Sequence, residues 1–326
     1  MVPPLLDNPI VLQQLRRKLL RWYYRHQRDL PWRRTSDPYR VWVSEIMLQQ
    51  TRVAAVLEHY ERFLRKFPTL ASLASAKESV VLASWSGLGY YRRARNLHAA
   101  AKKMAAEFAG QIPRGITQLR ELPGIGRYTA AAVASIAFQE PVAVVDGNVE
   151  RVVKRLFADG AGSETKVWDA AEKLLSRRRP GDFNQAMMEL GAEICLPREP
   201  RCRLCPLFAW CRARGTLPSL PAKEVRRRME LRCDLHSDCD RVYLVRRRSS
   251  TNLMPGMWEL PVHPFAGNKS RPAALFKHSI LSTDYRVLVF RCNGNAQGGR
   301  WIKQSQLAEL PLTGLARKIL RHFQLI

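Results

Sequence analysis

Glu45 lies in Ser44-Glu-Ile-Met-Leu-Gln-Gln-Thr51, a carboxylate among the apolar neighbours Val43, Ile46, Met47 and Leu48. Asp37-Pro38 upstream is a helix start, because proline tolerates the first turn and aspartate can cap it. On a buried face a carboxylate is costly to ionise, so it can hold a proton near neutral pH, as a general acid must. On an exposed face it would be an ordinary helical glutamate. A second carboxylate, Asp146, closes the apolar run from Pro141 and precedes Gly147-Asn148-Val149. It either stands ionised at the start of a helix, favoured by the dipole, or is a plain turn residue. Asn148 could cap that helix. One carboxyl kept protonated and one kept ionised is the arrangement that cleaves a glycosidic bond through an oxocarbenium-like state.

Two further motifs bear on chemistry. Cys195, Cys202, Cys205 and Cys211 have the spacing C-x6-C-x2-C-x5-C, while Cys233, Cys239 and Cys292 are scattered. In a reducing compartment the cluster reads as metal ligation. Zinc usually takes paired C-x2-C knuckles and only one is present; a 4Fe–4S cluster accepts irregular spacing, so it is favoured and zinc stays open. Leu122-Pro-Gly-Ile-Gly-Arg-Tyr-Thr129 places Gly124 and Gly126 between two helices. That is either a plain turn between helices or a hairpin whose second helix offers free N–H groups to a phosphate.

The elements that must position these groups follow from pattern and charge. With 326 residues the chain suggests two domains, and 54 Lys+Arg against 28 Asp+Glu, a net +26, point to a polyanion, nucleic acid ahead of an acidic membrane surface. No apolar run is long enough to cross a membrane and no signal-peptide core opens the chain, so a cytoplasmic protein is expected. Residues 1–215 read as helical, with segments at Pro9 to Gln27, Asp37 to Phe67, Leu70 to Trp85, Tyr91 to Phe108, Leu119 to Phe138, Val149 to Phe157, Lys166 to Leu175 and Asn184 to Cys195. Residues 216–231 read as a basic linker. Residues 232–326 are expected to be a smaller α+β domain, with strands at Arg241 to Val245, Trp258 to Val262, Arg286 to Cys292 and Arg300 to Lys303 and a last helix from Leu315 to Phe323.

At these residues the chain resembles the helix-hairpin-helix DNA glycosylases with an iron–sulfur cluster, and within them the adenine DNA glycosylases of the MutY type. The resemblance rests on Leu30-Pro-Trp-Arg-Arg34, the segment from Asp37 to Thr51, Gly87-Leu-Gly-Tyr-Tyr-Arg-Arg-Ala-Arg95, the glycine hairpin, Val145 to Val149, Phe183-Asn-Gln-Ala-Met-Met-Glu-Leu-Gly191 and the four cysteines. It implies a mainly α fold: a two-lobed helical glycosylase domain with an iron–sulfur loop, plus a Nudix-like C-terminal domain. Endonuclease III-type relatives carry a lysine where Tyr128 stands, and a lysine would form a Schiff base with the abasic sugar; with Tyr128 a monofunctional glycosylase is expected.

The resemblance further implies that adenine opposite 8-oxoguanine or guanine is flipped out of duplex DNA and protonated by Glu45, with Asp146 stabilising the cationic sugar and Tyr128 and Asn148 orienting both. Arg28, Leu30, Trp32, Arg33, Val53, Gln185 and Met188 match pocket positions; Gln50, Thr51, Leu88 and Tyr90 match positions around the orphan base, and Leu48 is expected among the substrate- or DNA-binding residues. The four cysteines would hold a 4Fe–4S cluster that stiffens a DNA-contacting loop bearing Arg198, Arg201 and Arg203. A monomer is expected. The C-terminal domain lacks the R-E-x-x-E-E core of Nudix hydrolases after Gly256, so diphosphate hydrolysis is not expected. Where the family reads 8-oxoguanine with Phe-Ser-His, this chain has Phe276-Lys-His-Ser-Ile280; His278 and Ser279 either substitute or sit on a surface loop. A thymine or pyrimidine mismatch glycosylase, or a non-catalytic DNA-scanning protein, is the rival expectation.

Overall fold

The computed structural model describes residues 8–157, 163–215, 226–248, 250–251, 253–265, 271–293 and 298–326. They group into two compact units, one drawn from residues 1–64, 69–71 and 99–221, the other from 65–68, 72–98 and 222–326.

In the first unit, helices form where apolar residues recur at helical spacing. α1 (Pro9–His26) buries Leu12, Leu15, Leu19 and Tyr23, and Asn8 caps it by accepting from the Ile10 and Val11 N–H groups. A single 3-10 turn, Pro31–Arg33, buries Trp32. α2 (Pro38–Leu48) starts as the sequence predicts, with Asp37 accepting from the Arg40 N–H at 2.8 Å and Pro38 in the first turn. The expected stretch 37–67 resolves into two helices: the chain turns after Leu48, with Gln50 at φ 54°, before α3 (Val53–Lys66). The segment 70–85 likewise splits into α4 (Leu70–Ser75) and α5 (Glu78–Ser84), followed by α6 (Arg92–Glu107); of these, residues 72–98 count with the second unit.

The glycine hairpin joins α7 (Ile116–Arg120) to α8 (Arg127–Phe138). Gly124 takes φ 76°, the left-handed region a side chain resists, and Gly126 starts α8 without a side-chain cap, leaving its first N–H groups open. α9 (Gly147–Phe157), α10 (Glu164–Leu174) and α11 (Pro180–Glu193) complete the unit. One core packs α1, α9, α10 and α11; a second packs Val41 of α2 against Ala131, Ala132 and Ile136 of α8 and Val144.

Residues 139–146 run between α8 and α9 without regular structure, and Asn184 of α11, 3% exposed, anchors them. Its Oδ1 accepts from the Val144 N–H at 3.1 Å, and its Nδ2 donates to Val142 O and Ser135 Oγ, both at 2.9 Å. A buried amide satisfies backbone groups that no sheet partner reaches.

The second unit holds β1 (Arg227–Leu235), β2 (Arg241–Arg246), β3 (Trp258–Glu259), β4 (Val262–Pro264), β5 (Ala274–Ile280), β6 (Thr283–Arg291), β7 (Gly299–Lys303) and α12 (Gly314–His322). One sheet has the order β4-β1-β6-β5, with β1 and β6 parallel; the other is the antiparallel β3-β2-β7. Val242, Leu244, Val287, Val289 and Ile319 are among the residues of the core between them. Ser86 and Tyr91 belong with this unit: each hydroxyl donates to Leu312 O at 3.0 Å.

Three expectations change. Residues 227–231 are strand, not linker, because they pair with β6; 216–225 lie outside the described residues. The segment Phe276–Ile280 is strand, not loop, held in register by β6. Trp258 to Val262 splits into two short strands around Leu260-Pro261. No described helix is long and apolar enough to cross a membrane.

Asn184→Ala takes the partner from the buried Val144 N–H and the half-buried Val142 carbonyl and is expected to cost about 2–4 kcal/mol. Urea unfolding measures it; a loss below about 1 kcal/mol would show that the segment before Asp146 does not depend on this amide.

Candidate active site

α2 is buried on almost every face, so Glu45 sits at 4% exposure among Val41, Val43, Ile46 and Met47. The exposed-helix alternative is thereby excluded. α8 packs against α2 and brings Tyr128 to it: Tyr128 Oη donates to Glu45 Oε2 at 2.6 Å and lies 3.6 Å from Met188 Sδ. Gln49 Nε2 donates to Thr129 Oγ1 at 3.0 Å and ties the end of α2 to the same helix. Burial raises the Glu45 carboxyl from 4.5 to about 7; the Tyr128 bond opposes this, the Asp146 charge adds to it, and Arg33 opposes it. Burial, then the charges of Glu45 and Asp146, push the Tyr128 phenol well above its ordinary value, so it stays a donor.

Asp146 is half-buried before α9 and accepts three bonds: Asn148 N at 2.9 Å and Val149 N at 2.7 Å on Oδ1, and Asn148 Nδ2 at 2.9 Å on Oδ2. Asp146, and not Asn148, therefore caps α9. The Asn148 side chain is turned toward Asp146 and held from the other side by Arg151 Nη2, 2.8 Å from its Oδ1. Arg151 also donates to Gly191 O at 2.7 Å and to Cys195 O at 2.7 Å. Gly191 is where α11 meets this turn: a Cβ there would lie 2.6 Å from Asn148 Cβ. Arg151 was not singled out from the sequence; its helical spacing of three from Asn148 was the available signal.

Arg28 and Arg33 are both fixed by a carboxylate that sequence reading missed. Glu189 of α11 has a fully buried side chain and accepts from Arg28 Nη2 at 2.6 Å and Arg33 Nη2 at 2.9 Å. Burial would raise its carboxyl, but the bonds from Arg28 and Arg33 prevail and hold it at about 2. Leu30 and Trp32 are buried beside this turn, Val53, Gln185 and Met188 are half-buried, and Glu189 follows Met188 directly in the chain.

The residues expected around an orphan base divide. Gln50 is exposed in a left-handed conformation; Tyr90, 51% exposed, takes φ 46°. Leu48 and Thr51 are half-buried. Leu88 is buried at 6% and, unlike Tyr90, presents no side chain to solvent. Glu45 and Gln50 do not share one helix, since α2 ends at Leu48.

Cys195, Cys202, Cys205 and Cys211 follow α11 in a loop packed on the first core. Arg155 of α9 holds it, donating to Leu196 O at 2.6 Å, Pro197 O at 2.8 Å and Cys195 Sγ at 3.4 Å. Burial, and then the other three cysteines, raise Cys205 to about 11 despite a backbone bond at Leu207, so the four sulfurs are near enough to repel as thiolates. A bound cation reverses that repulsion. The set with three donor atoms within 4.8 Å among the described residues is not drawn from these cysteines, a spread wider than one tetrahedral zinc requires. Arg198, Arg201 and Arg203 line a cleft of about 510 Å³ beside Cys202.

In the second unit, His278 is half-buried on β5, its pKa lowered by burial and by Lys318. Ser279 is exposed and donates to Asp284 Oδ1 at 2.6 Å. Both line a groove of about 640 Å³ with Arg228, Lys277 and Arg286.

Residues 43–177 match the model of the HhH-GPD superfamily base excision DNA repair proteins. An adenine DNA glycosylase of Rattus norvegicus is 49% identical over 225 residues, 63% of this chain and 44% of the relative. One from Schizosaccharomyces pombe is 33% identical over 353 residues, 85% of this chain and 76% of the relative. The chain thus spans less than half the length of the rat protein. A solved thermostable thymine-DNA glycosylase superposes with a TM-score of 0.59 at 30% identity, covering 62% of this chain and 96% of that one.

The raised Glu45 carboxyl has a consequence for stability. Its folded pKa exceeds its unfolded one, so its contribution is fully present below about pH 4.5 and is lost as pH rises through about 7. Glu45→Gln keeps the Tyr128 bond and removes the titration. Urea unfolding at pH 5 and pH 8 is expected to show the variant gaining on the wild type by an amount on the order of 2–3 kcal/mol at the higher pH. Equal differences at both values would mean Glu45 titrates normally.

Proposed function

The chain belongs to the HhH-GPD superfamily of base excision DNA repair proteins, within its adenine DNA glycosylase family, and on that footing we propose that it hydrolyses the N-glycosidic bond of adenine mispaired with 8-oxoguanine or guanine in duplex DNA. The observation that carries the reading is the pairing of Glu45, buried and raised to about 7, with Asp146, which accepts three N–H bonds, on either side of Tyr128 and Asn148 in function.

Adenine must leave the stack before its glycosidic bond is reachable. Glu45 gives its proton to N7, and the C1′–N9 bond breaks with its electron pair passing to the base. The cationic sugar is stabilised by the Asp146 carboxylate. Glu45, now ionised, takes a proton from water as that water bonds to C1′, so adenine and an abasic sugar are the products. Tyr128 donates to Glu45 throughout and is no amine, so no Schiff base forms and the strand is not cut. The fixed Glu189–Arg28–Arg33 set supplies rigid polar edges for the base.

Cys195, Cys202, Cys205 and Cys211 fit a 4Fe–4S cluster, by their irregular spacing and by sulfurs gathered more widely than for one zinc. The bound cluster would cross-link the loop, whose positive field comes from Arg198, Arg201 and Arg203, while Arg151 and Arg155 couple the loop to the Asp146 turn. With a net charge of +26, this loop and the open α8 N–H groups support phosphate binding. His278 and Ser279, lining a groove with Arg228, Lys277 and Arg286 but also Glu230 and Asp284, support reading of the opposite base by the second unit. The protein acts as a monomer in the cytoplasm.

Single-turnover adenine release from duplexes with A opposite 8-oxoguanine tests the reading. Glu45→Gln and Asp146→Asn are each expected to lose at least about 10²-fold, and wild-type release should fall as pH rises past about 7, because the protonated acid is required. No release by wild type, or undiminished release by the variants, sinks the proposal. Thymine release from G:T duplexes instead would favour a pyrimidine glycosylase, the activity named for the solved structure above.

A further inference from the structure

The second unit gathers metal-binding donors that the proposed chemistry does not use. One ligand atom each from Asp234, His236 and Cys292 lies within 4.8 Å of the others. The sheet dictates this. β1 and β6 run parallel with Asp234 opposite Phe290 and Leu235 opposite Arg291, so His236 and Cys292 form the next pair, and the Cys292 N–H donates to Leu235 O at 3.0 Å. Side chains alternate along a strand, so Asp234 and His236 share one face while Cys233 and Leu235 turn into the core. His236 is 7% exposed and the Asp234 side chain 15%.

We propose that Asp234, His236 and Cys292 form a zinc site that fastens the ends of β1 and β6. Carboxylate, imidazole and thiolate are the three donor types zinc takes, at about 2.0–2.3 Å. A tetrahedron at those lengths separates its donors by about 3.3–3.8 Å, so a set already within 4.8 Å closes by small side-chain movements. The thiolate and imidazole select against magnesium and calcium, which prefer oxygen. Arg232 Nε donates to Asp234 Oδ1 at 2.7 Å, which orients the carboxylate. His263 Nε2 lies 3.6 Å from Asp234 Oδ2, so the fourth position falls to His263 or to water. Binding displaces the Cys292 thiol proton to solvent.

The test uses the full chain with iron in its four-cysteine loop, dialysed against micromolar zinc chloride, with bound zinc counted and its neighbours read by X-ray absorption at the zinc edge. One zinc per chain is expected, with one sulfur and otherwise nitrogen or oxygen around it. Cys292→Ser and His236→Gln should each weaken binding by at least about tenfold, Cys239→Ser should not, and zinc should raise the Tm of the wild type but not of the first two variants. If Cys292→Ser does not fold, Asp234→Asn carries the same comparison. Zinc ringed by sulfur alone, no retained zinc, or equal retention by the variants overturns the proposal.

Discussion

The burial of one carboxyl group governs this structure. Glu45 sits on a helix with apolar packing on nearly every side, and taking a charge there from water costs several kcal/mol. The protein answers with the Tyr128 hydroxyl at 2.6 Å, a donor that serves either protonation state, and with a proton retained to about pH 7. Everything else near the site keeps that carboxyl dry and aimed.

Three supports do this, each joining segments far apart in the chain. Asn184 satisfies backbone groups of the irregular run before Asp146. Arg151 ties Asn148 to the end of α11 and the first residue of the four-cysteine loop, so the turn that orients Asp146 and the loop expected to grip DNA share one guanidinium. Glu189 holds Arg28 and Arg33 across separations of 161 and 156 residues. A buried carboxylate matched by two arginines makes a rigid polar wall, because removing either partner leaves an uncompensated charge.

The second unit follows a different principle, alternation on a sheet. The same period of two that sends Cys233 and Leu235 into the core sets Asp234 and His236 side by side on the other face, and turns His278 toward Lys318 while Ser279 faces solvent. Polar chemistry there is organised by strand register. In the helical unit it is organised by which faces of α2, α8 and α11 meet.

Much of this was legible in the chain itself. The Asp37-Pro38 start of α2, the glycine turn before α8 and the four-cysteine spacing are local patterns, and local rules of capping, turn geometry and ligand chemistry read them directly; Tyr128 in place of lysine took its meaning from the family resemblance. Glu45 and Asp146 could be named as a pair but not placed, because burial depends on what packs against a helix and not on the helix. Glu189 looked like an ordinary helical residue until tertiary contact brought two arginines to it. Leu88 was expected around the orphan base and is buried, and Phe276–Ile280, weighed as a surface loop, is a strand because it pairs with β6. Short-range pattern fixes which chemistry is available, and only the long-range fold decides which groups are desolvated, since the dielectric around a side chain is a property of its neighbours.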